Sequence, residues 1–287
     1  MTTKIIEQFK NYLEQIGYSQ GTQRNLPSSI KEFLNHTQKE LQEIDKQDVL
    51  AYYEYIKIRP NKRRPGTLSE SRISNQMYAL KVFFSFQMEL GTITEDPMST
   101  LTFVRLHKSK PREILSQSEL KELYKACETY REKAVLSLCY GLGLRRSEAV
   151  KINVEDLNLK SGLAFVREGK GKKRRVIPMN ESIIQTFKNY LEKERSSKEE
   201  TTALICSKTG IRATGGNLNK TLKTILESTQ ITKTITLHCL RHSIATHLLE
   251  NGLSVEYVRD FLGHKHLEST QIYTRVKNKQ LWNLKSI

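Results

Sequence analysis

Hydrophobic residues recur every three to four positions through the first part of the chain, and this spacing predicts helices. Polar and glycine-containing stretches interrupt the pattern and divide it into four helices. Three of them cover Ile5–Ile16 before a stop at Gly17, Asp45–Ile58 with Asp45 as its cap, and Ser69–Leu90. The longest presents an apolar face built from Ile73, Met77, Leu80, Phe83 and Phe86. A small helical bundle is therefore expected here.

The remaining helix of the four, predicted over Thr22–Thr37, contains Pro27. Proline lacks a backbone N–H, and its ring clashes with the preceding turn of a helix. We therefore expect this helix either to kink at Pro27 or to begin only there.

A short polar and basic segment, Leu106–Arg112, separates the helical bundle from the rest of the chain. Its composition is typical of a linker between domains. It predicts a first domain over residues 1–106, a linker over 107–112 and a second domain over 113–287. Ser116 and Glu119 have the spacing of a capping box, which opens the first helix of the second domain.

The second domain changes period once, where alternating apolar residues predict a β-hairpin. Its strands cover Leu163–Arg167 and Arg175–Met179, and Lys170 lies at the tip between them. Helical spacing then resumes over Asn180–Arg195, Asn217–Glu227, Thr236–Glu250 and Ser254–Leu262. The predicted fold class is mainly α with a small β-sheet in the second domain.

The chain carries 47 Lys and Arg against 31 Asp and Glu, a formal net charge of +16. Residues 1–110 hold 16 basic and 12 acidic residues, a net +4, which leaves +12 for residues 111–287. This excess predicts an acidic partner, most commonly nucleic acid, although charge that only aids solubility is the alternative. The candidate DNA contacts come from three basic runs and are Lys62, Arg63, Arg64, Lys108, Lys110, Lys172, Lys173, Arg174 and Arg175.

The four cysteines, Cys127, Cys139, Cys206 and Cys239, contain no Cys-x-x-Cys pair. This scatter indicates reduced thiols instead of a disulfide scaffold or a zinc knuckle. The chain has no apolar run near the roughly 18 residues of a membrane span and no signal-peptide core. We expect a cytoplasmic protein that does not bind membranes.

Arg145 and Glu148 follow a glycine-containing turn, Gly141–Leu144. A guanidinium is a planar fork that binds two phosphate oxygens at once. Glu148 lies three residues on, where it can hold that guanidinium in place. The alternative is an ordinary surface ion pair between residues three apart on a helix.

His238 and Arg241 are also three residues apart on a predicted helix, so both side chains can address one phosphate. A zinc site built from His238, His242 and His264 is the rival interpretation. The zinc-protease motif, however, requires a glutamate where this chain has Cys239.

Six residues that suit phosphodiester chemistry occur in one order and spacing: Arg145, Lys170, His238, Arg241, His264 and Tyr273. A lone tyrosine is usually a core residue, so the joint pattern carries the interpretation. The local strings are Gly-Leu-Gly-Leu-Arg-Arg-Ser-Glu, Gly-Lys-Gly, His-Cys-Leu-Arg, Leu-Gly-His and Tyr-Thr-Arg. They resemble the tyrosine recombinase, or phage integrase, superfamily, especially its compact Xer-like and mobile-element members. The resemblance is strongest from about 140 to 276 and weaker from about 3 to 105.

The resemblance implies a site-specific DNA recombinase that exchanges strands through a 3′-phosphotyrosyl intermediate and a Holliday junction. Tyr273 would be the nucleophile, His238 its proton acceptor, and Lys170 the proton donor to the leaving oxygen. The oxyanion would be bound by Arg145, Arg241 and His264. The scheme implies no metal and no cofactor.

The same resemblance implies an architecture and partners. A SAM-like, core-binding first domain and a catalytic second domain would form a C-shaped clamp on double-stranded DNA. Four protomers would assemble there, as a homotetramer or with a paralogue. The apolar tail residues would dock into a neighbour or, alternatively, pack on their own domain; they are Leu281, Trp282, Leu284 and Ile287. No arm-binding domain is expected, because the chain begins almost directly at the bundle.

Two other functions are compatible with the motifs. A type IB topoisomerase shares the chemistry but relaxes supercoils as a monomer. A DNA-binding accessory protein without catalysis comes from a different class, and the complete six-residue set argues against it. The target site and the biological role, whether dimer resolution, integration and excision, or inversion, do not follow from one sequence.

Overall fold

The chain divides into two compact units, Met1–Lys110 and Pro111–Ile287, in a computed structural model. The structure describes residues 2–61, 65–103, 113–167, 174–195, 201–207 and 209–263. The predicted linker over 107–112 and the apolar tail over 277–287 lie outside these residues. The predicted limits of the two domains therefore stay a prediction.

Four helices form the first unit, as the hydrophobic spacing predicts. They are α1 (Thr2–Gln15), α2 (Gln20–Thr37), α3 (Lys46–Ile58) and α4 (Glu70–Glu89), with a 3-10 turn at Leu41–Glu43. Asp45 accepts hydrogen bonds from the first turn of α3, which confirms the predicted cap, and Ser69 caps α4 in the same way. The core is strongly aromatic, because Phe9, Phe33, Tyr52, Phe83 and Phe84 are all fully buried.

The expectation that α2 begins only at Pro27 is wrong. The helix starts seven residues earlier at Gln20, where the Ser19 hydroxyl accepts a hydrogen bond from the N–H of Thr22. Pro27 lies inside the helix and is buried with Leu26 and Ile30. Packing of this face against α1 and α4 therefore outweighs the one backbone hydrogen bond that proline removes.

Helices also dominate the second unit, and they enclose one hydrophobic core. Their bounds are α5 (Gln117–Lys125), α6 (Tyr130–Leu136), α7 (Arg146–Lys151), α8 (Glu181–Lys193), α9 (Gly215–Glu227), α10 (Leu237–Glu250) and α11 (Val255–Leu262). A π-helical turn, Ser137–Gly141, continues α6, and a 3-10 turn covers Val154–Asp156. The predicted capping box is present, because Ser116 and Glu119 each accept a backbone hydrogen bond from the other.

A three-stranded antiparallel sheet interrupts the helices, in the order β1 (Leu157–Asn158), β2 (Leu163–Val166) and β3 (Arg175–Pro178). Strands β2 and β3 form the predicted hairpin, with Val166 opposite Arg175. The short β1 was not expected from the sequence. Lys170 belongs to residues 168–173, which lie outside the described part of the chain.

The predicted fold class, mainly α with a small sheet in the second unit, is confirmed. All four cysteines are buried. Burial raises the pKa of the Cys139 thiol to about 12. Among the residues that the structure describes, no helix has the length and apolar character needed to cross a bilayer.

Candidate functional site

The turn that carries Arg145 also places Glu148 beside it. Arg145 is the cap residue of α7, and Glu148 is the third residue of that helix. The Glu148 carboxylate accepts the backbone N–H of Arg145 at 2.9 Å and its Nη1 at 2.8 Å. The side chain of Glu148 is only 1 % exposed, so this is not an ordinary surface ion pair.

Gly143 allows the turn before Arg145 to press against α11. Its φ is +57°, and a Cβ atom at this position would lie 2.8 Å from Leu262 Cδ2 and 3.2 Å from Phe261 Cε1. The left-handed backbone and the lack of space both require glycine. The carbonyl of Gly143 accepts a hydrogen bond from Arg241 Nη1, so the turn also holds the second arginine of the predicted set.

Arg241 and Arg145 converge on the C-terminus of α11. Arg241 Nη2 donates to the carbonyl of Leu262 at 2.6 Å, and Arg145 Nη2 donates to the carbonyl of Gly263 at 3.2 Å. These are among the last carbonyls of the helix, which have no partner within it and carry partial negative charge. The two predicted arginines therefore lie together, directly before the segment that carries His264 and Tyr273.

Arg175 is a residue of this site that the sequence analysis missed. We predicted a DNA contact on an exposed basic run, but its side chain is 5 % exposed and points to Glu148. Nη1 and Nη2 donate to the two carboxylate oxygens at 3.1 and 2.8 Å. The strand alternation contained the signal, because Arg175 and Ile177 are two residues apart and so share the buried face of β3.

Glu148 thus lies among three guanidinium groups, and we call these four residues the Glu148 cluster: Arg145, Glu148, Arg175 and Arg241. Arg241 Nη1 is 3.8 Å from the carboxylate. Burial acts to raise the pKa of Glu148, but the bonds and charge of Arg175 and the hydrogen bonds from Arg145 outweigh it and lower that pKa to about 2. Burial, then repulsion from Arg145 and Arg175, lowers the pKa of Arg241. Three cations around one carboxylate leave a net positive charge, which suits an anion.

His238 lies at the mouth of this site. It is exposed in the first turn of α10 and shares a cleft of about 630 Å³ with Arg145 and Lys223. The His242 ring stands edge to face against it, with centroids 4.8 Å apart. His247 is instead a buried packing residue, since its Nδ1 lies 3.0 Å from the Tyr140 hydroxyl oxygen.

Several predicted site residues lie outside the described residues. They are Lys62, Arg63, Arg64, Lys108, Lys110, Lys170, Lys172, Lys173, His264 and Tyr273. Arg174 is described and is exposed, unlike its neighbour Arg175. Within the described part of the chain, no group of three or more His, Cys, Asp or Glu side chains is arranged to hold a metal ion.

The Glu148 cluster carries a net positive charge that suits an anion such as a phosphate. Residues 113–280 match the phage integrase family, and residues 5–89 match the phage integrase N-terminal SAM-like domain. The chain therefore belongs to the phage integrase family of tyrosine recombinases, which are site-specific DNA recombinases. The recombinase function that the motifs predict is confirmed at this level.

Proteins named tyrosine recombinases align with this chain over nearly their whole length. Tyrosine recombinase XerC of Bacillus subtilis is 32 % identical over 290 residues, covering 97 % of this chain and 94 % of the relative. Tyrosine recombinase XerA of Pyrococcus horikoshii is 31 % identical over 284 residues, covering 98 % of this chain and 92 % of the relative.

Solved structures of this family share the fold. The crystal structure of XerA recombinase is 26 % identical with a TM-score of 0.52, covering 99 % of this chain and 97 % of that one. A lambda integrase dimer bound to a COC′ core site is 19 % identical with a TM-score of 0.69, and 92 % of each chain is covered.

Proposed function

We propose that this recombinase cleaves one DNA strand with Tyr273 as nucleophile and with Arg145 and Arg241 of the Glu148 cluster as its phosphate-binding arginines. The observation that carries the proposal is the convergence of Arg145 and Arg241 on Glu148 and on neighbouring carbonyls at the end of α11. Gly263, whose carbonyl accepts Arg145, is followed directly in the sequence by His264. An enzyme that builds up negative charge on a phosphate needs cations that are oriented before the reaction begins.

Cleavage transfers the phosphate from a DNA oxygen to the protein. The Tyr273 oxygen attacks phosphorus, the bond from phosphorus to the 5′ oxygen breaks, and a 3′-phosphotyrosyl link forms. A phenol with a pKa near 10 is a weak nucleophile at neutral pH. His238 takes its proton, and Lys170 gives a proton to the leaving 5′ oxygen. Attack by a 5′-hydroxyl of another strand reverses the steps and rejoins the DNA, which requires neither ATP nor a metal.

Arg145, Arg241 and His264 stabilise the charge on the non-bridging oxygens in this scheme. Arg145 is the more accessible arginine of the pair, with a side chain 19 % exposed against 3 % for Arg241. It also lines the same cleft as His238. We therefore assign Arg145 to direct contact with the phosphate.

Double-stranded DNA is the partner of this family, and the finer points of assembly are part of the proposal. One catalytic set cuts one strand, so exchange between two duplexes requires four protomers, as a homotetramer or with a paralogue. The two domains would clamp the duplex, with the exposed Arg174 and the basic runs on its phosphates. Cytoplasm is the proposed location, where the DNA substrate is found.

The experiment is incubation with a nicked suicide substrate, which traps the covalent intermediate because the short cleaved piece diffuses away. We expect an adduct with the unaltered protein and none with Tyr273→Phe, which keeps its DNA affinity. Tyr257→Phe removes a phenol on α11 and is the matched control. An adduct that survives in Tyr273→Phe would assign the nucleophile elsewhere, and no adduct with any form would favour a non-catalytic binder.

A type IB topoisomerase would give the same adduct, so a second assay is needed. Two differently labelled duplexes that carry the target site report recombination through mixed products and junctions. Relaxation of supercoiled DNA without mixed products would contradict the recombinase assignment.

A further inference from the structure

Among the described basic residues on either side of the hairpin loop, Arg175 is the least exposed, and its position is unlike that of its neighbour Arg174. It begins β3 opposite Val166, directly after the segment that contains Lys170. Its side chain is 5 % exposed, whereas Arg174 faces solvent. Burial of a guanidinium is costly unless an acceptor of matching geometry receives it.

Glu148 is that acceptor, and Arg175 occupies both of its oxygens in a two-point bond. The same carboxylate also accepts the side chain and the backbone N–H of Arg145. Each carboxylate oxygen therefore accepts one hydrogen bond from Arg175 and one from Arg145. A shift of the Arg175 guanidinium would move the carboxylate, and the carboxylate orients Arg145. Arg175 acts on the phosphate site through Glu148.

A second contact links Arg175 to the end of α11. A Cβ atom on Gly263 would lie 3.0 Å from both Cδ and Nη1 of Arg175. The arginine thus packs closely on Gly263, whose carbonyl accepts Arg145. The preceding carbonyl, of Leu262, accepts Arg241. One side chain therefore contacts the carboxylate and the helix end that hold the two arginines of the proposed phosphate site.

Charge shows why a cation is needed at this place. Burial alone would favour a protonated Glu148, and Arg175 contributes the largest of the effects that keep it ionised. A protonated Glu148 would lose its attraction for Arg145 and Arg241. An apolar residue of similar size at position 175 would fill the same space but would remove a cation that compensates the buried Glu148 carboxylate.

We propose that Arg175 is a positioning residue of strand cleavage, which orients Arg145 and Arg241 through Glu148 and does not bind DNA itself. The inference rests on the proposed role of Arg145 and Arg241 as the phosphate-binding arginines. It replaces the DNA contact that the basic run predicted.

The test compares Arg175→Met and Arg175→Lys with Arg174→Met, an exposed neighbour of the same charge. Single-turnover cleavage of the nicked suicide substrate is measured at saturating DNA, together with DNA affinity at several salt concentrations. For Arg175→Met we expect cleavage about 100-fold slower, since misplaced catalytic groups cost rates of this order. Its affinity and its salt slope should match the unaltered protein. Arg174→Met, at a proposed DNA contact, should instead weaken DNA binding and lower the salt slope by about 1.

The pH profile of cleavage provides a readout that a merely structural role would not move. Without Arg175, Glu148 takes up a proton at higher pH, so the acid limb of the profile should shift upward in Arg175→Met. Lysine keeps the charge but not the two-point bond, so Arg175→Lys should restore the pH profile and only part of the rate. A melting curve for each variant establishes that it is folded, and Arg175→Lys carries the test if the methionine variant does not fold.

Two results would overturn the inference while leaving the proposed function intact. One is unaltered cleavage and pH profile in both Arg175 variants. The other is weaker DNA binding with a lower salt slope, which would make Arg175 a DNA contact. The lack of a Tyr273-dependent adduct in the unaltered protein is a different result, because it would overturn the proposed function together with the inference.

Discussion

At the scale of single residues, the one carboxylate of Glu148 balances three buried or half-buried guanidinium groups in the second unit. Its pKa falls from an ordinary 4.5 to about 2. A carboxyl group with a lowered pKa in the folded state stabilises the protein at a pH above its unfolded value. That contribution is lost as the pH falls through the folded value.

We therefore expect Glu148→Gln to lower the free energy of unfolding at pH 7 by about 3 kcal/mol, from the pKa difference and the linkage relation. The gap between variant and unaltered protein should narrow as the pH falls from about 4.5 towards 2. Urea unfolding of both proteins across this range is the measurement. Glu227→Gln, which changes an exposed carboxylate of the same unit, should stay within about 0.5 kcal/mol at every pH.

A constant gap between Glu148→Gln and the unaltered protein down to pH 2 would contradict this account. It would mean that the loss comes from packing and not from the ionised carboxylate. Glutamine keeps nearly the same volume as glutamate, so a packing effect is expected to be small.

At the scale of elements, the site depends on how the turn after the π-helical segment meets α11. Gly143 lies in that turn with a left-handed backbone, and a Cβ atom added to it would lie 2.8 Å from Leu262 Cδ2. Its carbonyl accepts Arg241. The conformation of this one residue therefore affects both the packing of α11 and the orientation of Arg241, an arginine of the proposed phosphate site.

Gly143→Ala is expected to lower the free energy of unfolding by about 2 to 4 kcal/mol, from backbone strain together with overpacking. It should also slow cleavage more than it weakens DNA binding, because the strained backbone would displace the carbonyl of residue 143 that accepts Arg241. Gly252→Ala is the matched control, since Gly252 has φ +83° but no atom within 4 Å of an added Cβ. That control should cost only the strain, roughly 1 to 2 kcal/mol.

Equal stability losses in the two glycine variants would show that contact with α11 is unimportant. Chemical unfolding gives the stability, and the suicide-substrate assay gives the cleavage rate.

The same elements show what the sequence alone can predict. Apolar spacing and local caps determine α3 and α4, whose caps Asp45 and Ser69 act on backbone groups within three residues. The alternative that α2 starts at Pro27 is wrong because the packing of α2 on its neighbours does not follow from the local sequence. Arg175 was misplaced because a run of positive charge hides the alternation of β3, and its partner Glu148 is 27 residues away. The strand period would have placed it inward.

At the scale of the whole molecule, the charge is uneven, with +4 in residues 1–110 and +12 in residues 111–287. In the second unit, three arginines surround the single carboxylate of the Glu148 cluster, and Arg145 shares a cleft with Lys223. Phosphate attraction of this kind gives binding that weakens steeply as salt rises. The second unit is therefore expected to contribute more of the salt dependence of DNA binding than the first unit.

Assembly is the last property that one chain must encode, and the apolar tail is the segment suited to it. Leu281 and Trp282 lie in residues 277–287, outside the described part of the chain. If these side chains pack on a neighbouring protomer, removing them should abolish strand exchange, which requires the proposed assembly, and leave cleavage by a single protomer intact. If they cover their own unit, removing them exposes its core instead.

We expect a variant with both Leu281→Ser and Trp282→Ala to form the covalent adduct at a normal rate and to keep its melting temperature. It should lose at least about 90 % of strand exchange between two duplexes, because interface residues of this size dominate association. The two assays use the same protein preparation, so each controls for the other. A drop in melting temperature with loss of both activities would place the tail on its own unit. Normal exchange would show that the tail is not needed for assembly, and the proposed contacts between protomers would then involve other surfaces.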